Sequence, residues 1–147
     1  MLLSCRNIKK YYGDRKVLNG VNLDVHHRDR IGLIGRNGTG KTTLADILTG
    51  NLDYDEGTII TPREKMSLGY LRQEENHFEL IVSVLNNRDR LNGEFQRLAS
   101  HLGISRLGKW EEERLKNISG GEKTKLALAR IFAAQPDLII LDEPTNH

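Results

Sequence analysis

The chain has 147 residues, of which 37% are hydrophobic and 29% are charged, and its formal net charge at pH 7 is +2. This composition excludes a disordered chain, and so small a net charge gives no argument for a nucleic-acid or membrane partner. The sequence contains no stretch of about 18 apolar residues and no signal-peptide pattern at its start, so we expect a cytoplasmic protein.

The start of the chain predicts an antiparallel hairpin. Apolar residues from Leu3 to Tyr12 predict one strand, and the alternation around Leu23 predicts the next. Gly13 and Asp14 predict the turn between them. Cys5 is the only cysteine, which excludes an internal disulfide and favours a small buried hydrophobic residue.

Tyr12 stands immediately before this turn and has two interpretations. Its ring offers a flat face on which a heteroaromatic base can stack. It can equally be an ordinary strand tyrosine, and position alone favours that second interpretation. Tyr11, the preceding residue, faces the other way if the strand is regular.

A phosphate-binding pattern follows the hairpin. The stretch from Gly35 to Thr42 fits G-x-x-x-x-G-K-[ST] at every fixed position. Before it, the apolar run from Ile31 to Ile34 predicts a buried strand, and after it, the spacing of Leu44 and Leu48 predicts a helix. Gly50 is expected to end that helix in a left-handed conformation.

A glycine loop between a strand and a helix lets backbone N–H groups approach an anion at the positive end of the helix dipole. Lys41 is expected to contact the β- and γ-phosphates, and the Thr42 hydroxyl to bind Mg²⁺. The flanking signals favour this interpretation over a glycine-rich turn that matches by chance. The expected nucleotide-binding residues are Gly35, Asn37, Gly38, Thr39, Gly40, Lys41, Thr42 and Thr43.

The middle of the chain changes from strand to helix signals. Short strands are predicted at residues 58–60 and 68–71, followed by an insert of about two helices. We interpret the apolar faces of that insert as packing surfaces, with Gly103 as the helix stop. These faces comprise Phe78, Ile81, Val82 and Leu85 on the first helix and Leu91, Phe95, Leu98 and Leu102 on the second.

Ser119, Gly120 and Gly121 precede a stretch rich in helix-forming residues. One interpretation is a plain helix start, with Ser119 as the N-cap. The other is a second anion site, since the backbone N–H groups of a helix start attract negative charge.

A continuous apolar run from Leu138 to Leu141 predicts a parallel strand buried on both faces. It ends in Asp142 and Glu143, and carboxylates are costly at the end of a buried strand unless they meet a cation or a polar reaction centre. We therefore expect Asp142 to bind Mg²⁺ and Glu143 to act on a water molecule as general base. The less favoured alternative is an ordinary surface pair.

Taken in order, these motifs resemble the nucleotide-binding domain of ABC ATPases over nearly the whole chain. The resemblance implies an α/β fold, a P-loop NTPase of the ABC type, with an antiparallel β portion and a short helical insert. It divides one domain into strands and phosphate loop at 1–72, the insert at 73–118, and the Ser-Gly-Gly helix and last strand at 119–147. The family continues beyond His147, so the resemblance also implies that the C-terminal part of the fold is missing.

The resemblance assigns further roles. Tyr12 is similar to the family's adenine-stacking aromatic, which reverses the preference stated above. Gln73 is similar to the glutamine that senses Mg²⁺ and the attacking water, and so joins the catalytic and metal-binding residues with Lys41 and Glu143. The segment from Ser119 to Gly121 resembles the part that closes over the γ-phosphate of an ATP held by a second nucleotide-binding domain, in a head-to-tail dimer or a tandem chain.

Residues 142–147 and Glu122 resemble the ABC-F branch, whose members act on ribosomes. The resemblance implies an ATPase that drives conformational closure on the ribosome, including the kind that gives antibiotic resistance, without direct DNA binding. The alternative is the ATP-binding subunit of a membrane transporter, with a membrane subunit as partner. Either way, the 147 residues alone are expected to hydrolyse ATP poorly or not at all.

Overall fold

The computed structural model describes residues 1–61, 66–72, 92–104 and 118–143. The chain divides into two compact units, Met1–Leu68 and Gly69–His147.

The first unit is built on a three-stranded antiparallel sheet. Its strands are β1 (Leu3–Tyr12), β2 (Arg15–Val25) and β3 (Glu56–Ile60), in the order β2-β1-β3. Tyr12 lies opposite Arg15, so Gly13 and Asp14 form the predicted turn, and Gly13 has the positive φ of +58° that such a turn requires. The predicted hairpin is therefore confirmed.

Helix α1 (Lys41–Leu48) packs its apolar face on this sheet. The resulting core consists of Cys5, Ile8, Leu18, Leu44 and Ile47. Cys5 is fully buried, as predicted, and its burial raises the pKa of its thiol. The helix ends at Gly50 with φ +76°, where the N–H of Asn51 donates to the carbonyl of Asp46 at 2.8 Å, so the predicted left-handed stop is also confirmed.

The predicted buried strand at residues 31–34 is wrong in this structure. The segment forms no regular strand, and the side chains of Ile31, Leu33 and Ile34 are 51%, 56% and 96% exposed. An apolar run gains strand hydrogen bonds and burial only from a neighbouring strand. None of the strands in the described part of the chain pairs with this segment.

The second unit combines helices with a two-stranded sheet. Strand β4 (Leu68–Leu71), which begins at the boundary of the unit, is the neighbour of β5 (Leu138–Leu141). Helices α2 (Gly93–His101) and α3 (Gly120–Ala133) pack against each other. Their shared core consists of Leu71, Phe95, Ala99, Ile104, Ile118, Leu126, Ala127 and Ala129.

Helix α2 is bounded by a side-chain cap at its start and a glycine after its end. Asn92 caps its start by accepting hydrogen bonds from the N–H groups of Glu94 and Phe95 at 3.0 and 3.2 Å. Gly103 follows its end with φ +82°, which confirms the predicted stop. Phe95 is 1% exposed, with Leu98 and Leu102 packed against the same core, so this face is confirmed as a packing surface. The other residues predicted for the insert, Phe78, Ile81, Val82, Leu85 and Leu91, lie outside the described residues.

Strand β5 forms where it was predicted, but the expectation that it is buried on both faces is wrong. Leu138, Ile139 and Ile140 are half-buried and Leu141 is 41% exposed. Burial on both faces requires a sheet with strands on either side and helices above and below. In the described residues, β5 has β4 as its one neighbouring strand.

Candidate nucleotide-binding site

The loop before α1 is held in a conformation that requires glycine. Gly38 and Gly40 have φ values of +77° and +97°, in the region that L side chains rarely adopt. A Cβ atom on Gly40 would also lie 2.8 Å from Cδ2 of Leu18 and 3.0 Å from Cγ1 of Val17. The close approach of β2 therefore leaves no room for a side chain at this position.

Hydrogen bonds from its own side chains fix the curvature of the loop. The Thr39 hydroxyl donates to the carbonyl of Arg36 at 2.8 Å. The Lys41 ammonium donates to the carbonyls of Gly35 and Arg36 at 3.0 and 3.2 Å. The positive charge of Lys41 is thus held over the loop from which the helix starts, where a phosphate group is expected to bind.

Helix α1 begins without a side-chain cap. Its N-cap residue is Gly40, which has no side chain to offer, and the first helical bond runs from the N–H of Leu44 to the carbonyl of Gly40 at 2.8 Å. The first turn contains no acidic residue. The positive end of the helix dipole at this point is therefore not offset by a carboxylate in the first turn.

The donor groups present here fit a nucleotide triphosphate. A glycine loop that a Cβ would fill, a lysine ammonium over it and a hydroxyl at Thr42 in the first helical turn provide contacts for phosphate oxygens and for Mg²⁺. Thr42 and Thr43 are half-buried, whereas Asn37 is exposed.

One contact to the loop was missed by sequence reasoning. Nη2 of Arg15, the first residue of β2, donates to the carbonyl of Gly38 at 3.2 Å. The only sequence signal was a basic residue directly after the turn that follows Tyr12. Nothing in the pattern showed that the hairpin brings this residue to the phosphate loop.

Tyr12 lies at the tip of the same hairpin and is 52% exposed. The ammonium of Lys10 lies 5.8 Å from its ring centroid, while Lys16 lies 5.5 Å from the ring of Tyr11. The ring of Tyr12 is thus accessible on the surface, and its stacking on adenine stays a prediction.

The start of α3 differs from what an open anion site requires. The Ser119 hydroxyl accepts from the N–H of Glu122 at 3.2 Å and donates to the Glu122 carboxylate at 2.8 Å. That carboxylate also accepts from the N–H of Ser119 at 2.9 Å, which completes a capping box. Gly120 and Gly121 form the first turn of the helix. As the structure stands, the plain N-cap interpretation describes this segment.

Asp142 and Glu143 follow β5 directly. Asp142 is 7% exposed, and its backbone N–H donates to the carbonyl of Leu71 at 2.9 Å, which extends the pairing of β5 with β4. Glu143 is half-buried and has φ +47°. A buried carboxylate at this strand end agrees with the expectation for Asp142, while the roles of both residues stay predictions.

Gln73 and residues 144–147 lie outside the described part of the chain. The phosphate loop belongs to the first unit, and Ser119, Asp142 and Glu143 belong to the second. Over the described ranges, no group of three or more His, Cys, Asp or Glu side chains is arranged to hold a metal ion, and no helix there is long and apolar enough to cross a membrane.

Comparison with known proteins agrees with these features. The family model described as ABC transporter matches residues 18–146. YdiF of Bacillus subtilis (strain 168), which bears the name of an ATP-binding protein, is 34% identical over 194 residues, covering 100% of this chain and 30% of that protein. The ribosome protection protein VmlR of the same organism is 33% identical, covering 99% of this chain and 26% of that protein.

The solved structure of MJ1267, an ATP-binding cassette of an ABC transporter, superposes with a TM-score of 0.73 at 24% identity. The match covers 99% of this chain and 70% of that one. The likeness shows the fold, which is that of a P-loop NTPase of the ABC type. The chain spans less than a third of the length of the two curated relatives.

Proposed function

This chain belongs to the ABC transporter family as an ABC ATP-binding domain, and we propose that it binds ATP with Mg²⁺ in the loop from Gly35 to Thr42. The observation that carries the proposal is the conformation of this loop. Gly40 adopts φ +97° against β2, and the ammonium of Lys41 lies over the loop carbonyls of Gly35 and Arg36. This arrangement presents backbone and ammonium donors to an anion at the start of α1.

Different residues are proposed to bind different parts of the nucleotide and its metal ion. Lys41 attracts the β- and γ-phosphates, and the glycines allow the backbone to approach them. The Thr42 hydroxyl is proposed to bind Mg²⁺, which when bound neutralises charge on the phosphate oxygens. Tyr12 is proposed to stack on the adenine, so that the hairpin tip and the loop hold opposite ends of one nucleotide.

Hydrolysis is proposed to require a second nucleotide-binding domain, either in a head-to-tail dimer or in the same chain. In this proposal, Glu143 accepts a proton from the attacking water, and Gln73 orients that water. The segment from Ser119 to Gly121 acts on the nucleotide of the other domain. We therefore propose that the 147 residues alone turn over little ATP.

For the biological role we propose an ABC-F ATPase that acts on the ribosome in the cytoplasm. The similarity to VmlR, which is named a ribosome protection protein, supports this choice. The alternative is the ATP-binding subunit of a membrane transporter, which the matching family model, described as ABC transporter, supports. Within the first role, we propose the kind of ABC-F protein that gives resistance to antibiotics that target ribosomes.

ATP binding is tested by Lys41→Ala in the protein as its gene encodes it. The affinity for a fluorescent ATP analogue is expected to fall at least about tenfold, because the variant removes charge-assisted hydrogen bonds to phosphate. Lys125→Ala, an exposed lysine of α3 with the same charge, is the matched control and should bind as the wild type does. Equal affinity in the wild type and the Lys41 variant would contradict the proposed site.

The two biological roles are separated by Glu143→Gln. We expect this variant to bind ATP but not to hydrolyse it, and so to hold the protein in its closed state. Sedimentation of a cell extract with ATP should then enrich the variant with ribosomes. Enrichment in the membrane fraction would favour the transporter alternative instead.

A further inference from the structure

Arg15 contacts the phosphate loop from outside the loop's own sequence. It is the first residue of β2, and its Nη2 atom donates to the carbonyl of Gly38 at 3.2 Å. A Cβ atom placed on Gly38 would lie 3.6 Å from the same nitrogen, so the guanidinium lies against the loop at this residue. The side chain is otherwise exposed, which leaves it accessible to a ligand in the loop.

Two residues of β2 contact the loop. Arg15 does so through the carbonyl of Gly38, and Val17 does so beside Gly40, although the pairing of β2 with β1 is irregular between Lys16 and Leu18. Val17 is the residue whose Cγ1 atom closes the space beside Gly40. The ammonium of Lys16, between them, lies over the ring of Tyr11. The contact of Arg15 with Gly38 thus lies beside a second contact of the same strand with the loop, that of Val17 with Gly40.

The guanidinium of Arg15 has more hydrogen-bond donors and more charge than its contact with one carbonyl uses. A guanidinium carries five N–H donors and a permanent positive charge, and its geometry matches phosphate oxygens. Hydrogen bonds from a charged donor to phosphate are stronger than those to a neutral carbonyl. One neutral donor would be enough to hold the carbonyl of Gly38 in place, so that contact alone does not require an arginine.

We propose that Arg15 is a second cationic residue of the nucleotide site and binds the phosphate chain of the nucleotide. This proposal rests on the ATP binding proposed above. Arg15 lies opposite Tyr12 in the hairpin, and Tyr12 is proposed to stack on the adenine. The contact of Arg15 therefore falls on the part of the phosphate chain near the sugar. Arg15 therefore contributes to the binding of ADP as well as ATP, whereas Lys41 acts mainly on the outer phosphates.

The test compares three substitutions in the protein as its gene encodes it. Arg15→Ala removes both charge and donor, and Arg15→Gln keeps a neutral donor for the Gly38 carbonyl. Lys16→Ala removes an equal charge from the next residue, whose ammonium lies over the Tyr11 ring. Fluorescent ADP and ATP analogues are titrated at low and high salt, and circular dichroism checks that each variant is folded. We expect both Arg15 variants to weaken ADP and ATP binding by roughly five- to tenfold.

The salt dependence separates binding from positioning. Loss of a phosphate contact should make the remaining affinity of Arg15→Gln less sensitive to salt than that of the wild type. Wild-type affinity in Arg15→Gln would show that the residue only holds the loop, and would overturn the proposal. An equal loss of affinity in Lys16→Ala would also overturn it, because the loss would then follow from any positive charge removed from this part of β2 and not from a contact made by Arg15. If the wild type bound neither nucleotide, the proposed ATP binding would fail first and Arg15 with it.

Discussion

Helices α1 and α3 both have glycine at their starts, and the two starts are capped in opposite ways. At α1 the N-cap residue is Gly40, in a left-handed conformation and without a side-chain cap. At α3 the N-cap residue is Ser119, in an extended conformation, and its side chain and that of Glu122 close a capping box. One start has no carboxylate in its first turn, and the other has Glu122.

The difference teaches that glycine at a helix start does not by itself make an anion site. What matters is whether the protein's own side chains already bind the N–H groups of the first turn and offset the helix dipole. At α3 the Ser119 hydroxyl binds the N–H of Glu122, and the Glu122 carboxylate offsets the dipole, whereas at α1 a lysine ammonium lies over the loop instead. A phosphate contact at Ser119 would require its hydroxyl to leave Glu122, and a second domain carrying ATP could provide the binding energy for that exchange.

The comparison predicts opposite changes in stability when alanine replaces Gly40, before α1, and Gly121, in the first turn of α3. The change at Gly40 is the largest expected. Gly40→Ala should lower the free energy of unfolding by about 2 to 4 kcal/mol, since it combines a left-handed backbone with overpacking against Leu18 and Val17. Gly121→Ala should be neutral or raise it by up to about 1 kcal/mol, because no atom lies within 4 Å of its added Cβ and alanine favours the helix. Urea unfolding followed by circular dichroism measures both changes.

The same pair also separates structure from function. If Gly121 contacts the nucleotide of a second domain, Gly121→Ala should lower ATP turnover in the complete protein without loss of stability. Destabilisation by Gly121→Ala equal to that by Gly40→Ala would remove the contrast between the two helix starts.

Local signals in the sequence predicted local structure well. The hairpin turn at Gly13 and Asp14, the helix stops at Gly50 and Gly103, and the N-cap at Ser119 depend on a few neighbouring residues, and all are confirmed. The capping box at α3 was missed, although its Ser-x-x-Glu pattern was available in the sequence.

Features that depend on distant residues were not predicted. The apolar run at residues 31–34 carries a strand signal, but strand structure needs a partner that the run itself does not specify. The burial of β5 was overestimated for the same reason. The contact of Arg15 with Gly38 spans 23 positions and follows from where the hairpin packs, which no motif encodes.

A smaller effect is expected from the cap of α3. Ser119→Ala should lower the free energy of unfolding by about 1 kcal/mol, since the N–H of Glu122 loses its acceptor. Ser119→Asp should restore most of that loss, because an aspartate carboxylate also caps a helix start. The measurement is again urea unfolding. A Ser119→Ala protein as stable as the wild type would mean that water replaces the cap at no cost, and the start of α3 would then count as open.

The smallest expected change in stability concerns Asp24. This residue lies near the end of β2 that is far from the turn and from the uncapped start of α1. Asp24 accepts hydrogen bonds from Arg6 at 2.8 Å and from the Ser4 hydroxyl at 2.7 Å, and these contacts, that of Arg6 first, lower the pKa of Asp24 from 3.8 to about 2. A carboxyl group whose pKa is lower in the folded state stabilises the fold above its unfolded pKa, and that contribution is lost as the pH falls through the folded pKa.

Asp24→Asn should therefore be less stable than the wild type at pH 7, and the difference should shrink as the pH falls from about 4 towards 2. Thermal unfolding of both proteins at several pH values measures it. Asp53→Asn, which changes an exposed aspartate in the loop after α1, is the control and should show no such convergence. If the difference in stability between Asp24→Asn and the wild type stayed constant down to pH 2, the packing of the Asp24 side chain, and not its charge, would stabilise the pairing of β1 with β2. In that case the support of the phosphate loop would not depend on this ion pair.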